Sequence, residues 1–163
     1  MKKLIVLALV AIVAYAVYRQ SEIRDGAYTA EITNPIYVEI RMRVKAPGRD
    51  IDTAIFGKMA STEDCELRSE RVWKKVVKDC PTCEFTAMKC RNDLEQRYLR
   101  LFDNTPIHST YLSFDRGSRY ERDGRMVVYG LTSDEGDKIC EMLKKTMQQG
   151  YTGKVTCILA SPQ

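Results

Sequence analysis

The sequence predicts an α+β domain in which helices cover an antiparallel sheet. Three observations support this prediction. A segment that begins at Ile36 alternates apolar and polar side chains, as a half-buried strand does. Two later segments, one ending near Lys78 and one at Gly150, carry apolar residues at helical spacing behind capping residues. Strand patterns follow these helical segments, so the two kinds of element alternate along the chain.

The first strand is the clearest pattern in the chain. Its polar face includes Tyr37, Arg41 and Arg43, and Pro47-Gly48 ends it because these residues are typical of turns. Its apolar face is formed by Ile36, Val38, Ile40, Met42 and Val44. The apolar face should pack against helices.

A pair of helices is predicted next. Ser61 offers an N-cap, with Asp64 three residues later, and the first helix should run to about Lys78. Pro81 prevents its continuation, because the residue before a proline avoids helical backbone. A second helix fits residues 91–103. Its apolar residues recur at helical spacing: Leu94, Tyr98, Leu101 and Phe102.

The second half of the chain predicts two strands, a helix and a last strand. Strand patterns at 107–115 and 126–131 are separated by a polar segment that ends in Asp123-Gly124, a turn dipeptide. Thr132 begins a helix with acidic residues in its first turn, which suits the helix dipole, and Gly150 ends it. One face of the last strand carries Val155, Cys157 and Leu159.

The predicted order is therefore β-αα-β-β-α-β, the split βαβ arrangement of ferredoxin-like domains with one inserted helix. Right-handed crossovers would place the helices on one face of a four-stranded antiparallel sheet and leave the other face open. In element order over residues 36–159, the chain resembles small sporulation-related peptidoglycan-binding domains. That resemblance implies a domain held at the membrane by one N-terminal anchor, with peptidoglycan as a possible ligand.

The first eighteen residues predict export. Lys2 and Lys3 precede an apolar run at residues 4–18, which is the arrangement of a signal sequence. Ala14-Tyr15-Ala16 allows cleavage, but Arg19 lies close to the resulting N-terminus. Two alternatives follow, a cleaved signal peptide or an uncleaved inner-membrane anchor. They place the domain in the periplasm, either secreted or anchored and facing it.

The chain is expected to divide into three segments. Residues 1–18 form the signal anchor or signal peptide, and residues 19–35 form a linker or a short strand. Residues 36–163 form a single disulfide-stapled α+β domain, a length typical of one domain.

The charge of the exported part argues against nucleic acid as a partner. The net charge of the chain is +4. Without Lys2 and Lys3 the exported part has 24 of the 26 basic residues and 22 acidic residues, so its net charge is about +2. This value gives no electrostatic signature of nucleic-acid binding. The expected partners are the membrane, through residues 4–18, and an envelope protein or peptidoglycan.

Six cysteines are expected to form structural disulfides, because exported proteins fold in an oxidising compartment. Cys65 and Cys80 cannot pair, since they would lie roughly 22 Å apart on one helix. Cys140 on the last helix should bond Cys157, which shares the helix-facing side of the last strand. The remaining cysteines would pair near the junction of the first two helices. The full set is Cys65, Cys80, Cys83, Cys90, Cys140 and Cys157.

Two other uses of the cysteines remain open. Cys80-Pro81-Thr82-Cys83 has the spacing of a thiol–disulfide oxidoreductase motif. A reactive thiolate needs a helix N-terminus, whereas this motif follows the C-terminal end of a helix, where the dipole disfavours it. A zinc site at Cys65, Cys80, Cys83 and Cys90 would have only one short ligand pair and would need free thiolates. The sequence therefore predicts neither a metal nor a cofactor.

A hydrolase is a further alternative, because carboxylates cluster around the predicted hairpin and the last helix. Paired carboxylates can hydrolyse glycosidic bonds, but turn and helix-cap roles account for these residues more simply. The cluster comprises Asp115, Glu121, Asp123, Asp134, Glu135 and Asp137. The sequence assigns no catalytic residue.

The open face of the predicted sheet is the candidate binding site. Tyrosines beside arginines form a flat surface that can stack and donate hydrogen bonds. The residues expected on this face are Tyr37, Arg41, Arg43, Tyr111, Tyr129 and Lys154. The sequence therefore favours a non-catalytic binding module for a partner protein or a cell-wall glycan, with an envelope enzyme as the alternative.

Overall fold

The computed structural model of the chain describes residues 32–118 and 121–161. The predicted signal segment 1–18 and nearly all of the predicted linker 19–35 lie outside these residues. From Ile32 onward the chain forms one compact unit. Among the described residues, no helix has the length and hydrophobicity needed to cross a membrane.

The described residues form one antiparallel sheet and three helices. The sheet has six strands in the order β3-β1-β2-β5-β4-β6. In chain order the elements are β1 (Ile36–Ala46), β2 (Arg49–Met59), α1 (Thr62–Asp79), β3 (Cys83–Arg91), α2 (Gln96–Phe102), β4 (Tyr111–Asp115), β5 (Gly124–Val128), α3 (Ser133–Gln148) and β6 (Lys154–Ile158).

The prediction of a four-stranded ferredoxin-like sheet with helices on one face is wrong. The sheet has two more strands, β2 and β3, and helices lie on both of its faces. β1 continues directly into β2 through Pro47 and Gly48. Gly48 has φ 81°, which suits the third position of a type II turn after proline. The first crossover of the predicted fold is therefore replaced by a hairpin.

β2 lacks the alternation that reveals a strand, because both of its faces are buried over residues 53–57. Phe56 packs against α2 on one face, while Ile55 packs with the core beneath α1 on the other. A strand covered on both sides reads as a continuous apolar run. β3 is hidden for a different reason. Its pairing with β1 shifts by one residue at Thr86, so a β-bulge breaks the two-residue period.

Two helices cover one face of the sheet and one short helix covers the other. α1 packs on Val38, Ile40 and Met42, which confirms the predicted apolar face of β1. α3 packs on the same face, since its contacts Leu112 and Met126 share the side of Ile55 across the pairing of β2, β5 and β4. The opposite face is covered by α2, through the residues Leu94, Tyr98 and Leu101.

All six cysteines form disulfides within the described residues. The predicted bond between Cys140 and Cys157 is confirmed and ties α3 to β6, with Cα atoms 5.9 Å apart. Cys65 bonds Cys90 and ties α1 to β3, and Cys80 bonds Cys83 across the turn between the same elements. Three disulfides indicate an oxidising environment, extracellular or periplasmic.

Asp64 anchors the start of α1. Its carboxylate accepts hydrogen bonds from the Ala60 backbone N–H and from the guanidinium groups of Arg68 and Arg122. Burial alone would raise the pKa of Asp64, but the bonds from Arg122 and Arg68 outweigh it and lower this pKa below its ordinary value of 3.8.

The lowered pKa of Asp64 predicts a contribution to stability that depends on pH. A carboxyl group with a folded-state pKa below its unfolded value stabilises the fold above the unfolded value, and the contribution disappears as pH falls through the folded value. We expect Asp64→Asn to lower the melting temperature at pH 6 and to converge on the wild type as pH falls from 6 through the lowered folded-state pKa of Asp64. Calorimetry across this range would test it, with Glu63→Gln as the neighbouring exposed control. Curves that stay parallel to low pH would contradict the prediction.

Candidate ligand-binding cleft

A cleft of about 890 Å³ lies on the α2 face of the sheet. Its volume lies within the range of small-ligand sites, about 300–1,000 Å³. The sheet forms its floor near the turn between β1 and β2, and α2 with the loop before β4 forms its wall. Its lining residues are Arg41, Met42, Arg43, Asp52, Thr53, Thr86, Arg97, Tyr98, Arg100, Pro106, Ile107, His108, Ser109, Tyr129 and Ser161. We call it the arginine cleft, after Arg41, Arg43, Arg97 and Arg100.

Arg41 occupies the floor in a fixed orientation. Its Nε donates to Glu39 at 2.6 Å, and its Nη2 donates to the Tyr98 hydroxyl at 2.8 Å. Burial opposes the positive charge, but these two bonds outweigh it and raise the pKa of Arg41. The guanidinium therefore stays charged at every physiological pH, and its Nη1 donates to no group within the described residues.

Glu39 is the group that positions Arg41. Its residue is 7% exposed, and its carboxylate lies between Arg41 and Arg91, whose Nε is 3.8 Å away. A buried carboxylate with two arginines is stable only while both cations remain near it. This pairing holds Arg41 in place on the floor of the cleft.

The wall of the cleft comes from α2. Arg97 and Arg100 are three residues apart and so lie on the same side of the helix. Arg97 donates to Glu95 at 2.8 Å and lies over the Tyr98 ring, 4.7 Å from its centroid. Arg100 is exposed and has no ion pair within the described residues.

Tyr98 is covered by neighbouring side chains and links the wall of the cleft to its floor. Its ring stacks on Phe56 with centroids 4.5 Å apart. Arg41 and Arg97 lie over the same ring at 5.5 and 4.7 Å from its centroid. Cations over an aromatic ring are attracted by its quadrupole, so the arginines and the ring hold one another.

Arg125 joins α2 to the sheet. It is 3% exposed, its Nε donates to the Leu101 carbonyl at 2.8 Å, and its Nη2 donates to the Phe102 carbonyl at 3.3 Å. A cation at these last carbonyls satisfies groups that a helix C-terminus leaves unpaired. Asn104, with φ 53°, ends the helix just beyond them. The wall of the cleft is thus attached by a buried guanidinium.

The structure separates the residues of the predicted binding face. Arg41, Arg43 and Tyr129 line the cleft. Tyr111 is 1% exposed beneath α2, and Tyr37 packs against Phe102 with ring centroids 5.8 Å apart. The expectation of an open face is wrong because α2 covers part of it. Lys154, at the start of β6, is exposed and is not among the residues that line the cleft.

Sequence reasoning missed the wall residues Arg97 and Arg100. The predicted fold placed their helix on the other face of the sheet, away from Arg41. Their spacing of three residues on one side of a short helix was the available signal. Only the position of α2 brings them beside the floor arginines.

The cysteines and most of the carboxylates considered for a redox or hydrolytic site have structural partners. Cys80 and Cys83 form a closed disulfide at the C-terminal end of α1, the position that disfavours a thiolate. Glu121 accepts backbone N–H groups of Gly117, Ser118 and Gly153. Three other carboxylates also accept hydrogen bonds: Asp123 from the Arg116 N–H, Glu135 from Arg49 and Asp137 from the Thr110 hydroxyl. In the described part of the chain, no group of three or more His, Cys, Asp or Glu side chains could hold a metal ion.

The chain matches no protein-family model, no curated protein and no solved structure. The chemistry of the arginine cleft is therefore the main guide to function. That chemistry combines four guanidinium groups, one carboxylate, hydroxyl groups and a few apolar side chains.

Proposed function

We propose that this protein is an exported, non-catalytic binding module that holds a ligand with carboxylate or other anionic oxygen groups in the arginine cleft. The observation that carries the proposal is that four arginines from two elements, β1 and α2, line one cleft. Delivery by residues 4–18, as a signal peptide or an inner-membrane anchor, would place the cleft in the periplasm. An envelope protein or peptidoglycan would then supply the ligand.

Arginine suits this role because its guanidinium has five donors in a planar fork that matches a carboxylate. Arg41 uses two of its nitrogens for Glu39 and Tyr98, and Arg43 donates to Asp52 at 3.1 Å. The nitrogens that remain can donate to a ligand. Charge-assisted bonds of this kind are roughly twice as strong as bonds between neutral groups.

The rigidity of the cleft also favours binding. Its floor lies on strands β1 and β2, and its wall is attached through Tyr98 and Arg125. A site that is ordered before the ligand arrives loses less conformational entropy on binding. His108 lines the cleft, but within the described residues no side chain orients it, whereas a general base is normally held by such a partner.

Charge reversal on the wall provides a test. We expect Arg97→Glu with Arg100→Glu to reduce retention of the full-length protein on isolated bacterial cell envelopes at least tenfold. The reason is that two donors become two like charges facing an anionic ligand. Both side chains are exposed, so loss of the Arg97 contacts with Glu95 and with the Tyr98 ring should destabilise the fold by only about 1 to 2 kcal/mol. Co-sedimentation with the envelopes measures the retained fraction.

The matched control is Arg71→Glu with Lys75→Glu on α1. It makes the same change in net charge with exposed residues on the other face of the sheet. We expect this variant to be retained like the wild type. Equal loss in both variants would mean that only net charge matters. No retention of the wild type, or no loss in the cleft variant, would also contradict the proposed site.

A further inference from the structure

We infer that two copies of this chain pair through the outer edges of their β3 strands, which joins two six-stranded sheets into one antiparallel sheet. In this pairing Glu84 of each copy lies opposite Lys89 of the other. The pairing does not depend on the ligand of the arginine cleft. Four observations point to it: a long unpaired edge, a bulge at the centre of that edge, opposite charges at matching positions and an exposed apolar patch.

β3 is the longer of the two edge strands of the sheet. It has nine residues, whereas β6, at the opposite edge, has five. Every second residue of an edge strand points its backbone N–H and C=O groups away from the sheet, where another strand can bind them. Within the described residues, no group pairs with these outward positions over 84–89. The disulfides Cys80–Cys83 and Cys65–Cys90 fix the two ends of the strand, so the edge is ordered before a second strand arrives.

The bulge at Thr86 decides which strand can pair with this edge. Glu84 and Lys89 face the same side of the sheet, because the residues of β1 opposite them both face α2. In a regular strand, residues five positions apart face opposite sides, so the extra residue in the bulge accounts for this arrangement. A bulge protects an edge from a regular strand, which cannot follow the shift. A second copy carries the same bulge, and the edge therefore favours a second copy.

Symmetry fixes the register of the pairing. Antiparallel pairing of two identical edges needs a two-fold axis perpendicular to the sheet, so residues opposite each other must face the same side. Thr86 lines the arginine cleft, and Ala87 lies opposite Arg41, so both face α2. Only an alignment centred between Thr86 and Ala87 matches the faces on both sides of the bulge. Its pairs, each formed twice, are Glu84 with Lys89, Phe85 with Met88 and Thr86 with Ala87.

The pairs on the α2 side are complementary in charge. Glu84 and Lys89 are oppositely charged and exposed. Cβ atoms of directly opposed residues lie about 4.5–5.5 Å apart, which is close enough for an ion pair. Glu84 also lies 3.8 Å from Lys45 of its own copy, but both of these side chains are more than half exposed. Such a surface pair is weak and leaves the carboxylate able to contact the other copy.

The pairs on the α1 side cover an exposed apolar patch, formed by Trp73, Phe85 and Met88. Trp73 of α1 lies edge-on to Phe85, with ring centroids 4.2 Å apart. Trp73 is 40% exposed and Met88 is 45% exposed, so neither is covered within one copy. Apolar side chains exposed together indicate a contact surface. In the pairing Met88 of each copy lies against Phe85 of the other, where sulfur and ring attract each other.

Charge reversal at the edge tests the inference. The interface is one strand and a few side chains from each copy, so we expect weak association. Sedimentation equilibrium of the full-length protein in a density-matched detergent, between about 1 and 200 μM, should show monomers and dimers in equilibrium. Glu84→Lys places lysines opposite each other, and Lys89→Glu places glutamates opposite each other. Each variant should weaken the dimer at least tenfold.

Two combinations should restore association. The double variant Glu84→Lys with Lys89→Glu exchanges the charges within each pair and should dimerise within threefold of the wild type. An equimolar mixture of the two single variants should form a heterodimer, because each supplies the charges that the other lacks. Lys154→Glu makes the same reversal at an exposed position of the other edge strand, β6. This control should dimerise like the wild type.

Three results would overturn the inference. Monomers at every concentration would exclude a second copy at this edge. A dimer that neither single variant weakens would mean that the copies meet through another surface or through residues 4–18. Loss of the dimer in both single variants, without a heterodimer in their mixture, would mean that Glu84 and Lys89 are not opposite each other.

Discussion

Replacing Arg125 with methionine is expected to lower the free energy of unfolding by about 3 kcal/mol, because several buried carbonyl groups lose a charged donor and an unsatisfied buried polar group costs about 1 to 3 kcal/mol. Methionine has a similar length but no donors. The carbonyl groups of Leu101, Phe102 and Phe114 would lose their guanidinium partner in the interior. Asp115, whose Oδ1 lies 3.5 Å from Nη2 of Arg125, would lose its cation. Urea denaturation followed by circular dichroism measures the effect.

The same variant should affect the cleft. α2 carries Arg97 and Arg100, so loosening its C-terminal attachment displaces the wall from the floor. We expect amide hydrogen exchange in α2 to increase by more than in α3, which Arg125 does not contact. Arg100→Met is the control on the same helix, because Arg100 is exposed and bonds no carbonyl within the described residues. A destabilisation below about 1 kcal/mol would show that water replaces the lost donors.

Removing the Cys65–Cys90 disulfide is expected to lower the free energy of unfolding by about 3.5 kcal/mol. On the chain-entropy model, this is the effect of no longer closing a loop of 25 residues in the unfolded chain. The double substitution Cys65→Ala with Cys90→Ala also removes two sulfur atoms from the core between α1 and the sheet. Cys65 is 0% exposed and packs in the cluster with Val38 and Ile40. The measured loss should therefore be at least as large as the chain-entropy value.

The Cys80–Cys83 disulfide provides the comparison. It closes a separation of three residues at the turn between α1 and β3, elements that Cys65–Cys90 already connects. The chain-entropy model gives a stabilisation of about 2 kcal/mol for so small a loop. This is an upper value, because the Cys65–Cys90 bridge already restricts the same part of the unfolded chain. Cys80→Ala with Cys83→Ala should cost distinctly less than the Cys65–Cys90 pair. An equal or larger cost would contradict this order.

Local patterns of sequence predicted several elements well. The alternation after Ile36 predicted β1 because one of its faces is apolar throughout. The cap at Thr132 predicted the start of α3, where Thr132 and Glu135 form a capping box. The pairing of Cys140 with Cys157 followed from the faces of a helix and a strand close in sequence. Each of these signals depends on residues within one element or in neighbouring ones.

The errors arose where burial on both faces or an irregular strand removed the signal. β2 has apolar residues on consecutive positions, since α1 and α2 cover opposite faces of the sheet, so it reads as neither a strand nor a helix. In β3 the bulge at Thr86 changes which side its residues face. The second helix is shorter than predicted, Gln96–Phe102 instead of 91–103, because Arg91 ends β3.

In the candidate site, too, some features could be predicted from the sequence and others could not. Arg41 and Arg43 could be assigned to one face of a strand from their spacing alone, because side chains alternate along a strand. Their meeting with Arg97 and Arg100 could not be read from sequence, since it depends on the face that α2 covers. That face is chosen by the burial of Tyr98 and Leu101 on Phe56 and by the buried bonds of Arg125.

By itself, the sequence determined the apolar face of β1, the caps and extents of α1 and α3, and the pairing of Cys140 with Cys157. These features follow from periodicity and capping, which act over a few residues. Only the tertiary structure decided the number of strands, the face that α2 covers and the existence of the arginine cleft. They depend on contacts between residues far apart in the chain, such as Arg41 with Tyr98. A pattern of neighbouring residues cannot predict such contacts.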